Sequence, residues 1–231
     1  IPVIWIFWGQ GEKEMPSLVK ACYRQLTYYN SNVHLISDEN IDQFISIDPI
    51  IINKVKKGEI GYANFSDIVR NTVLARHGGL WLDSTVWVSE AIPFQKLKTL
   101  SIFSANNVEL IDRKSVRFWS SYEWNWSSWC LWSRNTGHPF FCFVSDMLTA
   151  IALREDIWPD YVIQDYLFYY ACRNIPGIKE QMDMINLHNP NKDQLAFLMP
   201  KEFDSEQYKK LAEKECFFKL RYRTPWPMYT K

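Results

Sequence analysis

The constraint that reaches furthest is an apolar run at residues 2–8, PVIWIFW, closed by Gly9-Gln10-Gly11. So short a run with no polar face reads as a strand buried on both sides, as in a parallel sheet, delivering a glycine loop at its carboxyl end. Pro16 then stands at a favoured first helical position, and Leu18, Val19, Cys22 and Leu26 recur at helical spacing. VHLIS, residues 33–37, reads as a second strand. Strand, helix and strand in that order imply a crossover connection, hence an α/β fold with a central, mostly parallel, Rossmann-like sheet flanked by helices. The 231 residues, 47% of them hydrophobic, are enough for a substantial core. No internal repeat, low-complexity linker or composition break marks a boundary, so a single domain over 1–231 is expected.

Further along, residues 40–60 read as short helices with a basic turn at Lys54, Lys56 and Lys57, taken as a solvated face. A helix over 62–77 is indicated by Phe65, Ile68, Val69, Thr72 and Val73, and Gly78-Gly79 supply the backbone freedom that stops one. LWLDSTVWV, residues 80–88, reads as one strand. Strands are also expected at 101–105 and 127–133, helices at 139–153 and 162–173, and a helix followed by a strand, CFFKLRY, in the tail.

Several function classes lose support at once. Lys+Arg and Asp+Glu both number 26, so there is no net field to gather nucleic acid, and a negatively charged ligand must be met by local groups. Five cysteines with no CxxC pair support neither a disulfide framework nor a zinc knuckle, and point to reduced thiols in a cytoplasmic setting. No apolar run approaches the roughly 20 residues that span a bilayer, and no signal peptide is visible. The chain starts at Ile1 without methionine, which leaves room for a longer natural protein. P-loop, GxGxxG, GxSxG and HExxH patterns are missing. Aromatic residues make up 16%, with 11 Trp; most belong in a core, although indole faces also suit sugars.

The chemistry-bearing residues fall in three places. Asp83 and Thr85, two apart on the expected strand, would leave the same face and could grip a hard divalent cation; the plain alternative is a turn cap. Asp67 and Arg70, three apart on the helix before it, are neighbours on one face; the plain alternative is a surface ion pair. The Gly-Gly turn would bring all of them to one end of the sheet, where open α/β proteins bind ligands. Gln164 and Asp165 lie in an aromatic helix where a charge needs a partner or a task, and capping does not account for them if that helix begins at Val162. His188, in a polar loop, is a candidate metal ligand.

The order IPVIWIFWGQG, PSLVKAC, NFSDIVRNTVLARHGGLWLDSTV and RNTGHPF resembles the bacterial capsular polysaccharide synthesis glycosyltransferases, relatives of glycosyltransferase family 32. The resemblance is specific to about residue 88 and thinner beyond. It implies a GT-A-like fold and a retaining transfer of a hexose, galactose or glucose, from a uridine diphosphate sugar, with Mn2+ or Mg2+. By position it places Phe7, Trp8, Gly9 and Gln10, with Ser66 and Ser84, against the donor, and Asp67 and Arg70 on the sugar and diphosphate. Asp83 falls on the metal with Thr85 and His188, and Gln164-Asp165 matches a late acidic pair beside the donor sugar. The second aspartate of the usual D-x-D is Thr85 here, which removes one anionic ligand. The implied acceptor is a lipid-linked glycan at the inner face of the plasma membrane, reached by peripheral contact. Trp119, Trp124, Trp126, Trp129 and His138 of RNTGHPF are candidates for its platform. Two other classes remain open: a non-catalytic glycan-binding module, and a glycoside hydrolase using Asp83 and Asp165.

Overall fold

The computed structural model describes residues 1–105, 126–185 and 189–223. Its first strand, β1 (Ile4–Phe7), is buried along its whole length, as the apolar run requires. Helix α1 (Ser17–Tyr29) starts directly after Pro16 and buries Val19, Cys22 and Leu26; β2 (Val33–Ile36) follows and pairs parallel with β1. After α2 (Pro49–Lys56) and α3 (Tyr62–His77), β3 (Gly79–Leu82) joins the other side of β1, again parallel. β5 (Ile102–Ser104) and β6 (Cys130–Ser133) complete a sheet of order β2-β1-β3-β6-β5. β6 is antiparallel to both neighbours, so four of the five strands run one way. The expected mixed α/β architecture, a mostly parallel sheet flanked by helices, is what the chain adopts.

The helix α3 sets the position of everything that matters later. Ten of its residues are buried, from Asn64 to Ala75, because it is covered by the sheet on one side and by α5 (Pro139–Arg154) on another. Phe7 packs edge-on to Phe65 at 5.7 Å, whereas Trp5 packs against His77 at 5.4 Å and donates its indole N–H to the Gly78 carbonyl at 2.8 Å. The helix therefore runs back along β1, and its first turns lie beside the carboxyl end of that strand. Gly78, at φ 64°, ends the helix; Gly79, at φ 92°, lies so close to Val3 that a Cβ there would sit 2.6 Å from the Val3 carbonyl oxygen. Both glycines are thus required where they stand.

Three expectations need correction. The 80–88 run is two strands: Asp83-Ser84-Thr85 form a turn, closed by Val86 N–H donating to the Asp83 carbonyl at 2.9 Å. After it, β4 (Val86–Val88) leaves the main sheet and pairs antiparallel with β7 (Phe217–Lys219). A short polar turn between two apolar segments leaves no break in a hydrophobicity pattern. Lys54 is not part of a purely solvated face, since its ammonium donates to the carbonyls of Ala152 and Glu155 at 2.8 and 2.6 Å and so satisfies the C-terminal end of α5. Finally, α6 is Ile163–Asn174 with Val162 as its cap, which puts Asp165 in the first turn, where the helix dipole favours a carboxylate. The remaining helices among the described residues are α4 (Phe94–Leu97), α7 (Ile178–Asp183), α8 (Gln194–Leu198) and α9 (Ser205–Ala212).

Candidate active site

The carboxyl ends of β1 and β3, the first turns of α3 and α6 and the segment after β7 bound a cavity of about 820 Å³. Arg70 organises its floor. The guanidinium donates through Nη1 to Asp67 Oδ1 at 2.6 Å and to Gln164 Oε1 at 3.2 Å, and through Nη2 to Asp83 Oδ1 at 2.9 Å. Its plane lies over the Trp81 ring at 5.2 Å. With the Arg70 side chain 5% exposed and that of Asp67 13% exposed, this is a buried network and no surface ion pair. Planar, multidentate donation of this kind is what a guanidinium does and an ammonium does not. Gln164 Oε1 also accepts from Asn71 Nδ2 at 2.6 Å, so one amide ties α6 to α3.

Electrostatically the three carboxylates are made different. Burial pushes Asp67 up to about 7, with Arg70 pulling the other way and Asp83 and Asp165 adding to the rise. Burial also raises Asp165, again against Arg70. Burial acts on Asp83 in the same sense, but the Lys219 ammonium and the Arg70 guanidinium override it and hold its carboxyl below the ordinary range. Trp81 Nε1 adds a bond to Asp83 Oδ1 at 3.1 Å. Asp83 is a permanently ionised anchor, whereas Asp67 can gain or lose a proton near neutrality.

Another part of the lining is aromatic and contains Gly9. Phe7, Trp8, Gly9 and Gln10 lead out of β1, and Tyr62 closes over Gly9 so tightly that any Cβ at residue 9 would collide with its ring. Tyr62 donates its hydroxyl to Asp38, and that bond, with burial, pushes the phenol up to about 12, so it stays protonated. Trp8 meets Tyr222 edge-on at 5.6 Å. Ser66 and Ser84 also line the space, as do Thr85, Lys219, Arg221 and Arg223.

The model of the family described as capsular polysaccharide synthesis protein matches residues 1–231. The chain belongs to that family. Among solved structures, one titled "PaToxG Glycosyltransferase" superposes with a TM-score of 0.49 at 14% identity, covering 92% of this chain and 85% of that one. No curated protein matches the sequence.

In this capsular polysaccharide synthesis protein, all residues that the sequence marked for the donor and for chemistry share one cavity: Phe7 to Gln10, Ser66, Asp67, Arg70, Asp83, Ser84, Gln164 and Asp165. The acceptor candidates do not join them among the described residues. Trp126 is stacked on Phe140 at 4.9 Å and packs on Phe168 at 5.0 Å, inside the core. Trp129 is also buried, and its carbonyl accepts the Asp83 N–H at 2.8 Å, so it acts through its backbone. His138 caps α5, accepting from the Phe140 N–H at 3.3 Å and bonding Gln181 at 2.8 Å. The neighbouring Gly137 N–H donates to Ala75 at 2.7 Å, which fixes RNTGHPF at the far end of α3 from the cavity. Trp119, Trp124 and His188 lie outside the described residues.

The expected metal set is Asp83, Thr85 and His188. Of the first two, Asp83 Oδ2 and Thr85 Oγ1 both accept from Lys219 Nζ, at 2.9 and 2.6 Å. Among the described residues no group of three or more His, Cys, Asp or Glu is placed to hold a metal ion. The carboxylate and the hydroxyl expected to hold a divalent ion are therefore already shared with an ammonium. Lys219 is the residue that sequence reading missed. It stands in the alternating tail strand CFFKLRY, 136 residues from Asp83, and nothing local distinguishes it from a solvated lysine.

Proposed function

We propose that this member of the family is a glycosyltransferase that moves a hexose, galactose or glucose, from a uridine diphosphate sugar to a glycan acceptor with retention at the anomeric carbon. The observation that carries the reading is the Asp67–Arg70–Asp83 network, joined by Gln164 and sharing one cavity with Phe7 to Gln10. The cavity volume falls within the range of sites that enclose small ligands, and its lining holds both aromatic and charged side chains. Aromatic Phe7, Trp8 and Tyr62 suit the nucleoside, while Arg70 and the carboxylates suit the diphosphate and the sugar hydroxyls.

In the transfer, the bond between the anomeric carbon and the diphosphate oxygen breaks with its electron pair leaving on that oxygen. The acceptor hydroxyl oxygen forms the new bond on the same face, and its proton passes to the departing phosphate. Fixed donors aimed at the charge that develops on the leaving group supply the main stabilisation. Asp67 accepts from sugar hydroxyls and fixes the ring. Asp165 lines the same cavity and faces the positive charge on the sugar. The proposed acceptor is a lipid-linked oligosaccharide at the cytoplasmic face; among the described residues no helix is long and apolar enough to cross a membrane.

The hydrolase alternative asks Asp83 to act as acid or nucleophile, and a carboxylate with both oxygens held by Arg70, Trp81 and Lys219 suits neither task. A glycan-binding module has no use for the buried charge network. The test is thermal denaturation with nucleoside diphosphates. At 100 times its dissociation constant a ligand adds about 2.7 kcal/mol, so uridine diphosphate should raise the Tm by about 5–11 °C. No shift with any nucleoside diphosphate, with or without Mn2+, overturns the reading.

A further inference from the structure

Asp83, the carboxylate that the family resemblance gives to a divalent ion, is met by two organic cations, one on each oxygen: Arg70 Nη2 at 2.9 Å and Lys219 Nζ at 2.9 Å. The placement of Lys219 is built into the fold. In the β4–β7 ladder Lys219 stands opposite Val86, and the Leu220 N–H donates to the Thr85 carbonyl at 3.0 Å. The backbone thereby clamps Lys219 beside the Asp83-Ser84-Thr85 turn, and its ammonium reaches back across that turn to Asp83 Oδ2 and Thr85 Oγ1.

A magnesium ion sits about 2.0–2.1 Å from its oxygens, so an ion shared by those two oxygens would overlap the ammonium that already spans them at 2.9 and 2.6 Å. An ammonium has three N–H donors. Among the described residues two are used, on Asp83 and Thr85, and the third is left for an acceptor in the cavity, whose wall Lys219 forms with Arg221, Tyr222 and Arg223. This is the layout of a metal site in which protein oxygens hold the cation from one side and the ligand completes it from the other.

We propose that Lys219 is the cation of the leaving group: its ammonium, seated by Asp83 and Thr85, binds the diphosphate of the donor in the place of a divalent metal. The proposal rests on the transferase reading. When the bond to the anomeric carbon breaks, the electron pair that stays on the phosphate oxygen is met by the Lys219 charge, and no metal ion enters the step.

The experiment is calorimetric titration of the whole chain with uridine, guanosine, adenosine, cytidine and thymidine diphosphates, in EDTA and again with Mn2+ or Mg2+. The wild-type dissociation constant for the preferred nucleotide should differ by less than about 2-fold between the two conditions. Lys219→Ala should bind at least about 10-fold more weakly in EDTA and regain part of that loss with Mn2+, because Asp83 and Thr85 are then open. Lys219→Arg should keep most of the affinity. Wild-type binding that requires metal overturns the proposal and leaves the transferase reading standing; so does Lys219→Ala binding as tightly as wild type in EDTA. No nucleotide binding under either condition overturns both. If Lys219→Ala fails to fold, the wild-type comparison decides alone.

Discussion

Replacing Arg70 by methionine tests the network in a way that separates electrostatics from packing. Methionine keeps the apolar stem and removes the guanidinium, leaving Asp67, Asp83 and Gln164 without their shared donor. Deleting one member of a buried charge pair costs about 3–5 kcal/mol. The lower end applies, since Asp83 is 26% exposed and keeps Lys219. A loss of about 3 kcal/mol in a chain of this size lowers the Tm by about 6–12 °C. The loss should also depend on pH. Asp67 is already raised to about 7 in the folded state, chiefly by burial, and Arg70 is what holds it down. A carboxyl whose folded value lies above its unfolded one stabilises the fold at low pH, and that contribution fades as pH rises through the folded value. For wild type the fading runs from about pH 4 to 7; without Arg70 it continues to higher pH. The Tm gap between Arg70→Met and wild type, followed by circular dichroism, should therefore be small near pH 5 and wide near pH 8. Adding Asp67→Asn should recover stability, with a coupling of at least about 1 kcal/mol. A gap under 2 °C at pH 8, a gap equal at both pH values, or additive effects would refute this account.

Two further outcomes can be measured with the same material. Asp83→Asn removes the charge that seats both Arg70 and Lys219, and turnover of the nucleotide sugar should fall at least about 100-fold with the circular dichroism spectrum retained; undiminished turnover would place the anchor elsewhere. Trp126→Ala should cost about 3–5 kcal/mol as a core deletion against Phe140 and Phe168; an unchanged Tm with weakened acceptor binding would instead restore Trp126 to the acceptor platform.

Much of the architecture was legible locally. An uninterrupted apolar run identified β1, three-to-four spacing identified α1 and α3, and Gly78-Gly79 marked the stop between α3 and β3. The same local reading found most of the site. Asp67 and Arg70 are one helical turn apart, and the helix–glycine–strand order brings Asp83 back beside them. Short-range periodicity is enough when the partners sit on consecutive elements. It fails where an outcome depends on what a segment meets. Residues 80–88 have one continuous pattern, yet the chain turns at Asp83 because β4 finds β7 and not the main sheet. Trp126 and His138 have the composition of a sugar platform, yet one fills the core and the other caps α5, and only packing tells a buried indole from an exposed one.

Asp83 shows the division most clearly. The sequence by itself put a carboxylate at the end of a buried strand, next to Arg70, with Thr85 where a second acid would be expected. What meets Thr85 was decided by tertiary structure alone: antiparallel pairing of two short strands, far apart in the chain, sets Lys219 opposite Val86 and lets its ammonium bridge Asp83 and Thr85. Such pairing leaves no local trace, because its register is fixed by burial on both strands together and by nothing within either one.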